Sequence, residues 1–155
     1  MAKQWKISSS DYGPIYLVAS ERGLQAVSLK KLSAPMAESL SELQPLAQAV
    51  RQLEEYLSGK RKKFDLEFDV QGTAFQKSVW QELSKIPYGK TCSYRDIAKR
   101  IKKEKAVRAV GTANGRNPVC IIVPCHRVIA ANGSLGGYYW GLEMKEKLLR
   151  MEKHA

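Results

Sequence analysis

The stretch SYRDIAKRIKKEKAVRAVGTANG (residues 93–115) decides how the second half of this chain folds. Ser93-x-x-Asp96 is a capping box, in which a hydroxyl and a carboxylate each satisfy a backbone N–H left over at a helix start. Ile97, Ala98 and Ile101 then fall on one face, so a short helix is predicted. The basic link Lys102-Lys103-Glu104-Lys105 leads into a second apolar-periodic run, AVRAVGTANGR. Two short helices around a tight link predict a helix-turn-helix. A helix that reads base edges offers Gln, Asn, Arg or Ser. This one offers Ala109, Gly111, Thr112, Ala113 and Gly115 around a single Arg108. Gly111 costs about 1 kcal/mol in a helix relative to alanine. Such small residues either pack against the neighbouring helix or let the backbone approach a partner closely. If the partner is DNA, the fit is a shallow, sequence-tolerant approach to the minor groove, with Arg108 as the side chain pushed into the stack.

The charge balance agrees with a polyanionic partner. The chain carries +11 overall, but residues 1–72 hold 10 Lys+Arg against 9 Asp+Glu, whereas residues 73–155 hold 16 against 6. An asymmetry of that kind favours nucleic acid for the basic half. No apolar run is long enough for a bilayer, and MAKQWK lacks a signal core, so no membrane partner is expected. Three cysteines form no disulfide framework, and the cytoplasm is the expected compartment.

Outward from the centre, residues 4–8, 14–20 and 23–29 read as a β-meander with turns at Asp11–Pro14 and Glu21–Gly23. A helix is predicted over 39–57, with Leu43, Leu46, Val50, Leu53 and Leu57 on one face and Gly59 closing it. FDLEFDV (64–70) alternates like a half-buried strand. The change in charge places a boundary at Gln71-Gly72, giving lobes 1–72 and 73–155. The second lobe opens with another capping box, Thr73-x-x-Gln76, whose helix is expected to bury Phe75, Val79, Leu83 and Ile86. VCIIV (119–123) reads as a buried strand, Asn132-Gly133 as a hairpin turn, GSLGGYYWG as a loop, and LEMKEKLLRMEK as a final helix.

Between strand and loop lies VPCHRV (123–128), which sets a cysteine beside a histidine. Zinc is not expected, because Cys92, Cys120, Cys125 and His126 lack CxxC and HxxxH spacing. A nucleophilic thiol needs a base within reach and a third group to orient that base. His154, close to the C-terminal end of the sequence, is expected to be exposed. His126 is therefore the candidate base, Cys125 the candidate nucleophile, and Cys92 and Cys120 are expected to be packing residues. Glu152, on the same helix face as Leu148 and Leu149, is either a solvated carboxylate or the group that holds the imidazole.

In order and spacing, FQKSVWQEL, IPYGKTCSYRDIA, VRAVGTANGRNP, PCHRVI and GLEMKEKLL closely resemble the O6-alkylguanine-DNA alkyltransferases, also called methylated-DNA–protein-cysteine methyltransferases. The resemblance covers residues 73–152. It implies an α/β (α+β) chain: a small N-terminal lobe of antiparallel sheet plus helix, ribonuclease H-like, and a mostly helical, winged-helix-like C-terminal lobe. It implies Cys125 as alkyl acceptor, His126 as base acting through a water, Glu152 as the group polarising His126, and Asn117 as brace of the turn. Tyr94 would lie over the extruded guanine and Arg108 would replace it in the stack. Ala109, Gly111 and Thr112 would face DNA, the backbone at Cys125 and Val128 would read the guanine amine, and Tyr138, Tyr139 and Lys145 would close the pocket.

The implied activity is irreversible, single-turnover transfer from O6-alkylguanine in double-stranded DNA, with O4-methylthymine as a second candidate substrate. No cofactor or metal is implied, and a monomer is expected. The rival reading is a non-catalytic sensor of alkylated DNA, although such relatives carry Trp in place of the acceptor cysteine. A transcription factor and a cysteine hydrolase are further alternatives. Two features depart from the family pattern. The N-terminal lobe has neither Cys nor His, and Tyr139-Trp140 stands where many relatives have small residues, which is expected to restrict bulky adducts.

Overall fold

The computed structural model describes residues 1–9 and 11–154. The chain divides into two compact units, Met1–Gln71 and Gly72–Ala155. The first is built on an antiparallel meander of β1 (Lys3–Ser9), β2 (Gly13–Ser20) and β3 (Gly23–Ser28), in the order β1-β2-β3. β1 and β2 pair from Lys3↔Ala19 to Ser9↔Gly13, and a bulge at Val18/Ala19 interrupts the β2–β3 ladder. Helix α1 (Gln44–Leu57) lies against all three strands. It buries Leu46, Ala49, Val50, Leu53 and Tyr56, and Ile7, Ile15, Leu17 and Val27 are buried on the sheet.

Two expectations for this unit are corrected. The helix predicted over 39–57 is broken at Leu43, which is extended (φ −148°, ψ 108°), with a 3₁₀ turn at Leu40–Glu42 before it. Pro45 is the reason. Inside a continuous helix its ring would clash with the preceding turn, whereas in the first turn its missing N–H is of no consequence. At the other end Gly59 (φ 79°) closes α1 as predicted, with Lys60 N donating to Glu55 O at 2.8 Å. The second correction concerns FDLEFDV, which is extended but not a strand. Among the described residues its backbone ladder is a single bridge at Leu24, which donates to Glu67 O at 2.9 Å and accepts from Asp69 N at 2.8 Å. The Gln52 side chain takes both backbone groups of Asp65, at 2.9 and 3.1 Å, leaving no ladder to extend. Phe68 points outward at 41% exposure.

The second unit begins with α2 (Ala74–Leu83), where both halves of the Thr73/Gln76 capping box form. Val79, Leu83 and Ile86 are buried as expected. Phe75 is only half-buried, and Trp80 takes the inner position, its Nε1 donating to Ala113 O at 2.9 Å. Helices α3 (Tyr94–Arg100) and α4 (Val107–Gly115) form the predicted pair, α3 opening with the reciprocal Ser93/Asp96 cap. The link between them turns at Lys102 (φ 61°), and α4 packs on both α2 and α3. The short β4 (Cys92–Ser93) pairs in parallel with β5 (Val128–Ile129), and α5 (Leu142–His154) follows the glycine-rich loop. The Asn132-Gly133 turn forms, with Gly133 N donating to Ala130 O at 2.9 Å and Ala130 N to Ser134 O at 3.0 Å, but among the described residues no strand follows on its far side. Among the described residues no helix is long and apolar enough to cross a membrane.

Candidate active site

The segment predicted as a strand at 119–123 is buried throughout, yet it is a tight turn. Val123 N reaches back to Val119 O at 3.0 Å, and Ile121 sits at φ 74°. A β-branched residue in the left-handed region costs on the order of 1–3 kcal/mol and persists only where its surroundings hold it. Asn117 supplies part of that hold. Its Nδ2 donates to Val123 O at 2.8 Å and its Oδ1 accepts from Val119 N at 3.0 Å, tying the two ends of the turn together. Pro124 then leads into a single 3₁₀ turn, Cys125–Arg127. This turn keeps Cys125, His126 and Arg127 all buried, where extended backbone would send neighbouring side chains to opposite faces.

Glu152, on α5, is the hub beneath this turn. It is buried, with Oε2 2.7 Å from His126 Nε2. Its carboxylate also takes a two-pronged contact from Arg127, with Nε to Oε1 at 2.8 Å and Nη2 to Oε2 at 2.9 Å. Gly89 N adds a fourth donor at 3.3 Å. Burial alone would raise the carboxyl, but the hydrogen bonds from His126 and Arg127 outweigh it and bring Glu152 down to about 2. Of the alternatives for this residue, the solvated carboxylate is excluded. Arg127 completes its own bonding by donating through Nη1 to Ile86 O at 2.7 Å.

The protonation states follow from this geometry. Burial pushes His126 below its ordinary value, and Glu152 only partly opposes it, so the imidazole is neutral at pH 7. An ionised carboxylate can only accept, which puts the imidazole hydrogen on Nε2 and leaves Nδ1 as a lone-pair acceptor. Nδ1 is buried and has no hydrogen-bond partner among the described residues. Cys125 is itself 2% exposed, and its backbone carbonyl accepts from Asn114 Nδ2 at 3.4 Å. Its thiol is drawn below the ordinary cysteine value by the thiol of Cys120, against burial, with Asn117 and the charge of Lys145 pulling the same way. A thiol so placed can act as a nucleophile, because the thiolate is the reactive form.

Around this centre, Tyr94 is the first residue of α3 and half-buried. Burial pushes its phenol upward, so it stays an O–H donor at neutral pH. Gly136 (φ 72°) lies against it: a Cβ there would come within 3.0 Å of the phenol oxygen. Lys145 is fully buried and donates to three backbone carbonyls, those of Val128 at 2.6 Å, Gly137 at 3.0 Å and Leu135, and burial lowers it to about 8. Tyr138 is half-buried edge-on to Trp140, at 6.3 Å between ring centres, whereas Tyr139 is 77% exposed. Arg108, Ala109 and Thr112 lie on the solvent face of α4. Val110, Ala113 and Asn114 form its buried face, and Gly111 is turned toward Tyr94, where a Cβ would sit at 3.9 Å.

The structure therefore brings Cys125, His126, Glu152 and Asn117 together and sets Lys145 and Val128 beside them. Sequence reasoning missed Arg127 as the second partner of Glu152, Asn114 behind Cys125, and Cys120 beside the thiol. The side chain of His154 lies outside the described residues. Among those described, no group of three or more His, Cys, Asp or Glu is placed to hold a metal ion.

Comparison with known proteins gives this arrangement a context. Residues 74–154 match the model of the 6-O-methylguanine DNA methyltransferase DNA binding domain, and residues 4–70 match that of the ribonuclease-like domain of the same family. A methylated-DNA–protein-cysteine methyltransferase of Methanosarcina acetivorans is 50% identical over 152 residues, covering 96% of this chain and 97% of that one. The inducible methylated-DNA–protein-cysteine methyltransferase of Bacillus subtilis is 54% identical over 120 residues, 77% of this chain and 65% of its own. The crystal structure of Mycobacterium tuberculosis OGT in complex with DNA superposes with a TM-score of 0.88 at 40% identity, covering 98% of this chain and 93% of that one. With both halves matched by the two domains of one family, and a buried thiol–imidazole–carboxylate cluster at the end of the second, the chain belongs to the 6-O-methylguanine DNA methyltransferases.

Proposed function

We propose that this protein repairs alkylated DNA by moving the alkyl group of O6-alkylguanine, chiefly O6-methylguanine, irreversibly onto Cys125. The observation that carries the reading is the buried cluster in which Glu152 fixes the His126 hydrogen on Nε2 and leaves Nδ1 free to accept. Through a bridging water, Nδ1 takes the Cys125 proton. The thiolate attacks the alkyl carbon in line, the C–S bond forms as the C–O6 bond breaks, and the electron pair passes to the base. Tyr94 assists by donating its O–H to the departing purine, which leaves as neutral guanine once a proton equivalent to that lost by the thiol is returned. The product thioether has no good leaving group, so each molecule acts once.

The target carbon is inaccessible within stacked DNA, so the nucleotide is extruded at a cost of a few kcal/mol. Arg108, exposed at the start of α4, is the side chain that takes its place, with Ala109, Gly111 and Thr112 allowing close approach to the minor groove. The backbone at Val128 reads the guanine amine, and the Tyr138–Tyr139 loop held by Lys145 closes over the base. Asn117 braces the turn. In this reading residues 1–72 and 73–155 are separate lobes, the second carrying both DNA binding and acceptor, and the protein works as a monomer. O4-methylthymine is a second substrate of the same chemistry. Three free, buried thiols support residence in the reducing cytoplasm.

The test is direct. Incubation with a duplex containing O6-methylguanine adds one methyl mass to the peptide bearing Cys125, in a burst equal to the amount of protein and with no further turnover. An unmodified peptide with DNA binding retained would replace this reading with a non-catalytic sensor.

A further inference from the structure

The turn that presents Cys125 also presents a second thiol. Cys120 lies five residues earlier, where an extended strand would carry it well away. The left-handed Ile121 and the Val123-to-Val119 hydrogen bond fold the segment back, and the two Sγ atoms come to 3.9 Å. Cys120 Sγ is also 3.6 Å from Asn117 O, and both thiols are 2% exposed. As a thiol, Cys125 donates across the gap. After losing its proton it can only accept, and a buried anion without a donor is costly. The Cys120 S–H has two acceptors within reach, the Asn117 carbonyl and the Cys125 sulfur.

We propose that Cys120 is a positioning residue for transfer to Cys125: its S–H swings from the Asn117 carbonyl to the sulfur of Cys125 as that sulfur becomes an anion, and holds it ready for attack. The Cys125 proton leaves toward His126, Cys120 keeps its own, and no oxidant or reductant is involved. The neighbouring Cys125 sulfur, and after it burial, push Cys120 upward, so it remains a donor across the working range while Cys125 ionises. Cys120 thus has a role beyond the packing expected of it from sequence.

The inference rests on Cys125 being the acceptor, and its test is built to be read separately from that claim. The wild type, Cys120→Ala and Cys120→Ser are treated with iodoacetamide from pH 5 to 10, and the rate at the Cys125 peptide is followed by mass. Removing the donor raises the midpoint of the rate profile. For each unit of rise the variant has about tenfold less thiolate at low pH, but a more basic thiolate is intrinsically more nucleophilic, with a Brønsted slope of about 0.4–0.5. For a rise of about one unit, Cys120→Ala should therefore react about 3-fold slower than wild type well below the midpoint and about 3-fold faster well above it, so the profiles cross. Cys120→Ser keeps a donor and should stay near the wild-type midpoint.

A loss by the same factor at every pH, or an unchanged profile, would overturn the inference and leave Cys120 a packing residue. Thermal melts of all three proteins accompany the rates, and the comparison is made below the lowest melting transition. Failure of the O6-methylguanine duplex to modify wild-type Cys125, with the iodoacetamide profiles crossing as expected, would sink the proposed function and with it the role in transfer, leaving Cys120 only as a donor to the Cys125 thiolate.

Discussion

Replacing Glu152 with glutamine probes fold and chemistry at once. The carboxylate accepts from His126, twice from Arg127, and from Gly89, all in a buried setting. A glutamine oxygen can still receive Arg127, but the amide NH₂ then faces the Nε2–H of His126, donor against donor. Either a contact is lost or His126 moves its hydrogen to Nδ1, where it can no longer take a proton from Cys125. General acid–base groups contribute about 10²–10⁴-fold to rate, so alkyl transfer should fall by at least 10².

The stability cost can be reached by two routes. Breaking a buried ion pair by removing one partner costs about 3–5 kcal/mol. Independently, Glu152 at about 2 against 4.5 for a free glutamate corresponds to on the order of 3 kcal/mol, at about 1.36 kcal/mol per unit. Because the folded value is the lower one, this stability is present above pH 4.5 and disappears as pH falls through 2. Urea melts of wild type and Glu152→Gln should differ by about 3 kcal/mol at pH 7 and converge toward pH 2. A gap that stays constant over that range would refute the assignment of the stabilisation to the ionised carboxylate.

Three further outcomes are expected. Cys125→Ala should abolish transfer while leaving affinity for an O6-methylguanine duplex within a few-fold of wild type, measured by fluorescence anisotropy. Arg108→Ala should slow repair in duplex DNA at least tenfold more than reaction with free O6-methylguanine; equal losses would remove Arg108 from the extrusion step. Asn117→Ala deletes two buried hydrogen bonds at the turn and strands their backbone partners, so a loss of about 2–4 kcal/mol in urea melts is expected, with transfer reduced in protein that remains folded.

The parts legible in the sequence were those whose signals are local. Both capping boxes, Thr73/Gln76 and Ser93/Asp96, form as read, because each is a reciprocal bond closed within four residues. The meander and the buried stripe of α1 follow from periodicity. Cys125 and His126 read as nucleophile and base from the residues themselves, but a role for Glu152 comes only with the family resemblance, since nothing local says that α5 returns to residue 126. Arg127 escaped notice for the same reason, its partner lying 25 residues away. VCIIV misled because an apolar run reports burial, not backbone direction. The turn within it depends on Asn117, whose side chain does work that the run itself cannot reveal. The break at Leu43 is legible in Pro45, which forbids the continuous helix that the leucine spacing suggests.

Lys145 gathers the carbonyls of Val128, Leu135 and Gly137, and every one of those acceptors is main chain. A grip on backbone oxygens does not depend on what side chains the loop carries. Substitutions at Ser134, Gly137, Tyr139 or Trp140 can reshape the rim of the site without undoing its fastening. The fold thereby separates two properties of the loop, how it is held and which side chains it displays.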